Sequence, residues 1–216
     1  NVEGTWQPYF FTFYNMPLDK PRRLMMNVYT HGDYSRNVDI INGLSHVNNY
    51  YIENRLTFSY SFKNLTLGLP TYLEYRHTTN KEGTITPINA TNFQYGLTAN
   101  YNVKREAESH APRWLQGFSV ATDLKMFSRR GYGDSSMNRD DLVWNVSLSR
   151  SFLNPFGKSA AGTLVARLEG FDVLGQLSGT NIVINGQGRT ETIHNTLPRY
   201  LMLHLTYNWS KMPKKK

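Results

Sequence analysis

Leu197-Pro-Arg-Tyr-Leu-Met-Leu-His-Leu-Thr-Tyr-Asn-Trp209 is the stretch that decides the fold class. In an extended strand, Leu201, Leu203, Leu205, Tyr207 and Trp209 share one face, while Tyr200, Met202, His204, Thr206 and Asn208 share the other. One face is continuously apolar and ends in two amphipathic aromatics; the other is mostly polar. A strand of a transmembrane β-barrel has this character, because alternate residues meet lipid and lumen and aromatic rings settle at headgroup level. A half-buried strand of a soluble sheet also alternates, so the rest of the chain has to repeat the pattern before the membrane reading follows.

It repeats. Between Asn92 and Val103, Phe93, Tyr95, Leu97, Ala99, Tyr101 and Val103 oppose Asn92, Gln94, Gly96, Thr98, Asn100 and Asn102. A soluble core has little use for a face so uniformly amide-rich and uncharged, whereas a wet barrel interior tolerates it. From Tyr50 to Phe62, Tyr50, Ile52, Leu56, Phe58, Tyr60 and Phe62 oppose Glu53, Arg55, Thr57, Ser59 and Ser61, with Asn54 the one misplaced polar residue. Phe118, Val120, Leu124 and Met126 oppose Ser119, Asp123 and Lys125; Leu142, Trp144, Val146 and Leu148 oppose Asn145, Ser147 and Ser149; Leu164, Ala166 and Leu168 oppose Arg167 and Glu169. The segments Arg22 to Asp33 and Leu65 to Thr78 are weaker, the second carrying Gly68 and Pro70.

Segments starting near Gln7, Arg22, Tyr50, Leu65, Thr91, Arg113, Asp140, Ala161 and Arg199 give about nine strands in up-and-down order. The expected fold is all-β, an antiparallel up-and-down transmembrane β-barrel. Short links are expected at Pro17 to Pro21, Lys63-Asn64, Lys104 to Pro112 and Asn154 to Ser159. Long ones are expected at Ser35 to Asn49, Thr79 to Ala90, Ser128 to Arg139 and Val173 to Pro198, with Asn42-Gly43, Glu82-Gly83 and Asn185-Gly186 as hairpin turns within them. Short periplasmic turns and long extracellular loops are the asymmetry of outer-membrane barrels. The C-terminal strand then runs down to the periplasm.

Composition removes other classes. No run of about 18 apolar residues is present to span a bilayer as a helix. With no cysteine among 216 residues, neither a disulfide framework nor a thiolate site is available. The net charge of +8 comes from scattered lysines and arginines rather than a recognition platform, so nucleic acid is not an expected partner. No two histidines stand at metal-ligand spacing and no glycine-rich phosphate loop opens a helix, so no metal and no cofactor are expected. The 14 tyrosines and 11 phenylalanines suit a sheet with alternate residues in lipid.

The lumen-facing candidates are Glu53, Arg55, Glu74, Arg76, Gln94, Asn100, Asp123, Lys125, Arg167, Glu169 and His204. Their charges alternate in sign along neighbouring strands, and cross-strand pairing is the expected use of most of them. An aromatic girdle is expected from Tyr50, Tyr60, Tyr75, Tyr95, Tyr101, Trp114, Trp144, Tyr207 and Trp209. His204, with Thr206 and Asp123 as conceivable company, is the one candidate for acid–base chemistry; nothing in the sequence brings the three together, so no catalytic residue is expected and the protein is not read as an enzyme. The loops Ser35 to Asn49 and Val173 to Pro198 are candidates for ligand or partner contact.

Three stretches carry a resemblance: Met137-Asn-Arg-Asp-Asp-Leu-Val-Trp-Asn-Val-Ser-Leu-Ser-Arg-Ser-Phe152, Phe171-Asp-Val-Leu-Gly-Gln176, and Asn195-Thr-Leu-Pro-Arg-Tyr-Leu-Met-Leu-His-Leu-Thr-Tyr207 with its lysine tail. They resemble the C-terminal barrel region of the Bacteroidota outer-membrane β-barrel family, related to TonB-dependent receptors. Leu201, Leu203, Leu205, Tyr207 and Trp209 also resemble the C-terminal signal read by the barrel-assembly machinery. The resemblance implies a bacterial outer-membrane location, with residues 1–209 as the C-terminal part of a larger barrel and 210–216 as a basic periplasmic tail. Full-length relatives carry a β-sandwich and a plug domain ahead of the barrel. Expected partners are therefore outer-membrane lipid, an N-terminal barrel and plug portion, the assembly machinery, TonB and a surface lipoprotein. An odd strand number and a first residue, Asn1, that is not methionine fit that reading. The alternative is a scaffold or docking barrel for surface lipoproteins or a secretion complex, without transport of its own.

Overall fold

In the computed structural model, residues 4–40, 44–83, 86–103, 112, 114–133, 135–157, 162–177, 180–185, 188–193 and 199–209 are described. Among these described residues eleven strands form, in the order β1 (Tyr9–Pro17), β2 (Leu24–Ile40), β3 (Leu44–Phe62), β4 (Leu65–Asn80), β5 (Ile88–Asn102), β6 (Phe118–Arg130), β7 (Asp140–Leu153), β8 (Gly162–Phe171), β9 (Thr180–Asn185), β10 (Gly188–Ile193) and β11 (Tyr200–Trp209). Nine of them make one sheet in the order β1-β2-β3-β4-β5-β6-β7-β8-β11, with β9 and β10 paired as a separate ribbon. Every neighbouring pair is antiparallel. The up-and-down all-β expectation holds, and the sheet is open: β1 and β11 are edges rather than partners of each other.

The register is sheared. The row through Tyr60, near one end of β3, passes Leu67, Ala99, Thr122, Val146 and Gly170 and reaches Leu201, near the opposite end of β11. A stagger that accumulates in one direction means strands tilted to the axis about which the sheet curls, which is the geometric condition for a barrel wall.

The links bear out two expectations and correct one. First, Ser35 to Asn49 continues as the expected hairpin: β2 and β3 stay paired as far as Ile40 and Leu44, so it rises well past the length needed to cross a bilayer. Its turn dipeptide, Asn42-Gly43, lies outside the described residues, as do the calls on 104–111, 113, 186–187, 194–198 and the basic tail 210–216. Second, β6 begins at Phe118 rather than near Arg113, because the chain first turns at 114–117, where Leu115 N–H donates to Pro112 O at 2.8 Å and Gly117 sits at φ +80°. That makes 103–117 a long link on the side assigned short turns. Third, Val173 to Pro198 contains the β9–β10 ribbon, with Thr180–Asn185 paired to Gly188–Ile193.

Burial is inverted relative to a soluble sheet. On one face Tyr50, Ile52, Leu73, Phe93, Leu97, Leu148 and Leu203 stand exposed, while on the other Glu53, Thr78, Asn80 and Asp141 are buried. The polar face is thus the occluded inside of the curl and the apolar face its bare exterior. Two of the polar residues on the apolar face show how they are accommodated locally. Asn54 Nδ2 donates to Thr30 Oγ1 at 2.8 Å, and the Arg150 guanidinium lies over the rings of Phe118 at 4.9 Å and Phe152 at 5.0 Å.

Candidate functional site

Ladder parity settles the facing of the predicted lumen residues, since directly opposed residues of an antiparallel pair share a face. Glu53 opposes Glu74, Glu74 opposes Asn92, and Asn92 opposes Arg129; Asp123 opposes Asn145, Ser147 opposes Glu169, and Arg167 opposes His204. Stepping by two along each strand then gathers Arg55, Arg76, Gln94, Asn100 and Lys125 onto the same polar face. Of the girdle residues, Tyr50, Tyr60, Tyr75, Tyr95, Tyr101, Trp144, Tyr207 and Trp209 belong to the apolar face, and Trp114 lies in the turn before β6. The five residues of the C-terminal signal, Leu201, Leu203, Leu205, Tyr207 and Trp209, form the bare apolar face of edge strand β11.

The charges of β3, β4 and β6 pair along their strands rather than across them, while Glu169 of β8 pairs across with His204 of β11, as expected above. The register sets Glu53 between His31 on β2 and a like charge, Glu74, on β4. Each of these two carboxylates instead takes donors two residues away on its own strand. Tyr51 Oη donates to Glu53 Oε2 at 2.8 Å and Arg55 Nε donates to Glu53 Oε1; Tyr72 Oη donates to Glu74 Oε2 at 2.7 Å and Arg76 Nη2 to Glu74 Oε1 at 3.4 Å. The sequence repeats here, Tyr51-Ile-Glu53-Asn-Arg55 against Tyr72-Leu-Glu74-Tyr-Arg76. Run antiparallel, the two copies put each arginine opposite the other copy's tyrosine. Arg55 accordingly lies 5.6 Å from the centres of both the Tyr29 and Tyr72 rings, and Arg76 lies 5.6 Å from that of Tyr51. The same along-strand scheme joins Lys125 Nζ to Asp123 Oδ2 at 2.7 Å and Arg139 Nη2 to Asp141 Oδ1 at 2.6 Å.

His204 finds neither Thr206 nor Asp123 among its described contacts. Its Nε2 lies 3.4 Å from Glu169 Oε2, and Asp123 is taken by Lys125. Among the described residues no group of three or more His, Asp or Glu side chains is arranged to hold a metal.

The link after β6 falls within the expected Ser128 to Arg139, but sequence reasoning missed that its described residues, 131–133 and 135–139, bend onto the polar face. Gly131 turns at φ +80° with its Cα so close to β5 that a Cβ would stand 1.7 Å from Asn89 O, so only glycine fits. Asn138 then clamps Tyr132, accepting from its N–H at 3.0 Å and donating to its carbonyl at 2.9 Å. Tyr132 Oη donates to Asn92 Oδ1 on the wall at 2.9 Å, and Met137 is buried beneath the 3-10 turn Ser135–Met137. A cavity of about 190 Å³ is left between this link and the wall of β4, β5 and β6.

At the end of the sheet where β2 and β3 turn, the β4–β5 link is tied to the β2–β3 hairpin. Glu82 Oε2 accepts from the His46 N–H at 2.8 Å and its Oε1 lies 2.6 Å from His46 Nδ1. The His46 amide, followed by its ring, holds the Glu82 carboxyl well below the ordinary range, at about 2. The Phe171-Asp-Val-Leu-Gly-Gln176 stretch is a built turn. Asp172, fully buried, accepts from the N–H groups of Gln176 at 3.2 Å and Leu177 at 2.9 Å, and Asn145 Oδ1 accepts from the Asp172 N–H at 2.9 Å.

Compared with known proteins, the chain matches no protein-family model, no curated protein and no solved structure.

Proposed function

We propose that this chain is the C-terminal barrel segment of a TonB-dependent-receptor-like transporter of the bacterial outer membrane, supplying wall, polar lumen face and extracellular loops for solute uptake. The observation that carries the reading is the inversion of the two faces in a sheared antiparallel sheet: girdle and aliphatic residues bare on the outside, a hydrogen-bonded polar lining inside. In hydrocarbon every backbone polar group needs a partner, so a sheet of this kind has to close.

The edges say what closure takes. With nine strands and antiparallel neighbours throughout, β1 and β11 run in the same direction. Joining them to each other would make a parallel seam. A second copy rotated about the membrane normal would make two such seams. An odd number of additional antiparallel strands between β11 and β1 gives an antiparallel seam on both sides, as an even-stranded bacterial barrel requires. Those strands and a plug inside them are the partners this reading assigns.

Intact-mass measurement and peptide mapping of the native protein test it. Additional alternating strands and a plug-like domain joined to this sequence are the expected result. A native protein without a plug-like segment overturns transport, and a stable surface partner seated on the outer links of a sealed barrel would put the docking scaffold in its place.

A further inference from the structure

Three carboxylates of the polar wall are paired along their own strands, Glu53 with Arg55, Glu74 with Arg76, and Asp123 with Lys125, and Glu169 pairs across with His204. Arg129 breaks the pattern. It occupies the wall position opposite Asn92, its neighbour Arg130 points to the other face and pairs with Asp140 at 2.7 Å, and its own guanidinium has no ion-pair or hydrogen-bond partner among the described residues. Arg129 lines the cavity of about 190 Å³ under the 131–139 link.

We propose that this cavity binds a small monocarboxylate carrying an apolar ring or short chain, with Arg129 as its anchor. A guanidinium fork matches a planar carboxylate in two parallel hydrogen bonds. Gln94, also in the lining, supplies an amide next to that anchor, and Phe127 and Met137 supply the apolar end. Glu74 stands in the same lining, so a multiply charged anion such as phosphate is repelled more strongly than a single negative charge. The volume admits a ligand about the size of benzoate. The roof is held by Gly131, Asn138 and the Tyr132–Asn92 hydrogen bond, so the cavity is preformed.

The site rests on the transporter reading only for its physiological use. Its binding is tested separately, by titrating the native protein that carries this sequence, purified in detergent micelles, with benzoate, benzamide and inorganic phosphate in a calorimeter. Benzoate is expected to bind saturably and at least about tenfold more tightly than the isosteric, neutral benzamide or phosphate, and Arg129→Gln to lose about tenfold or more of that affinity. Arg130→Gln, the same charge change on the opposite face, is expected to leave it unchanged. Should Arg129→Gln not fold, Gln94→Leu takes its place, with weaker benzoate binding expected. Benzamide or phosphate binding as tightly as benzoate, or full affinity in the folded Arg129→Gln or Gln94→Leu protein, overturns the proposal. Mapping that finds no plug would remove transport and leave these outcomes untouched.

Discussion

The β3–β4 pair and edge strand β11 carry the same alternation and differ in what surrounds it. In β3 and β4 each polar side chain has strands on both sides, and Glu53 is held by Tyr51 and Arg55 with only 9% of its side chain exposed. On β8, next to the edge, Glu169 reaches His204 at 3.4 Å with 36% of its side chain exposed, and all of β11 stands open on both faces. Alternation places a residue on a face; the number of neighbouring strands decides whether it becomes a fixed part of a polar network. The interior of the sheet is finished, and the edge is a surface prepared for another strand.

The largest expected effect breaks the comparison at the apolar face, which both regions share. Leu97→Arg, in the middle of β5 and 45% exposed, is expected to destabilise the protein by about 2–4 kcal/mol in urea unfolding from lipid vesicles, as a charge at the bilayer midplane does. On a soluble sheet the same exposed site would change stability by about 0.5 kcal/mol or less, and that result would end the membrane reading.

The polar face should separate the two regions. Glu53→Gln, which strips the charge from the centre of the β3–β4 network, is expected to cost about 1.5–3 kcal/mol in the same assay. Glu169→Gln is expected to cost less than about 1 kcal/mol, because its pair with His204 is exposed. Equal costs would show that burial in the wall does not distinguish centre from edge. Gly131→Ala sharpens the role of the inward link: the positive φ and the blocked Cβ position predict a loss of at least about 1 kcal/mol, with faster hydrogen exchange confined to 131–139.

The smallest effect is at the rim. The Glu82 carboxyl is lowered from 4.5 to about 2, so its contribution is complete above the unfolded value and is lost as pH falls through the folded one. Hydrogen exchange at the His46 amide is therefore expected to stay slow near neutrality and to lose protection progressively between about pH 4.5 and about 2. Loss of protection only above that window would remove Glu82 as the acceptor. The core of the sheet should not respond.

Much of this was legible in the chain because strand geometry is periodic. Alternation in Asn92 to Val103 assigned β5 from Asn92 onward to its two faces, and the eleven polar-face candidates fell together because ladder parity carries a face from one strand to the next. The repeat Tyr51-x-Glu53-x-Arg55 and Tyr72-x-Glu74-x-Arg76 was also readable, yet its two tyrosines were given no role. Their role depends on register, because only the pairing of Arg55 with Tyr72 and Tyr51 with Arg76 sets each arginine across from a ring. The extent of the hairpin at Ser35 to Asn49 was less legible, since polar residues continue it above the apolar band and the sequence loses the hydrophobic half of its signal.

The sequence by itself determined the two-faced strands, their antiparallel order and the residues available to each face, since a period of two needs no knowledge of neighbours. Tertiary structure alone decided that like charges oppose at Glu53 and Glu74, that their neutralisation runs along strands, and that the 131–139 link folds inward over Arg129. Those outcomes follow from register and close approach, which bring together residues far apart in the chain and leave no periodic trace in it.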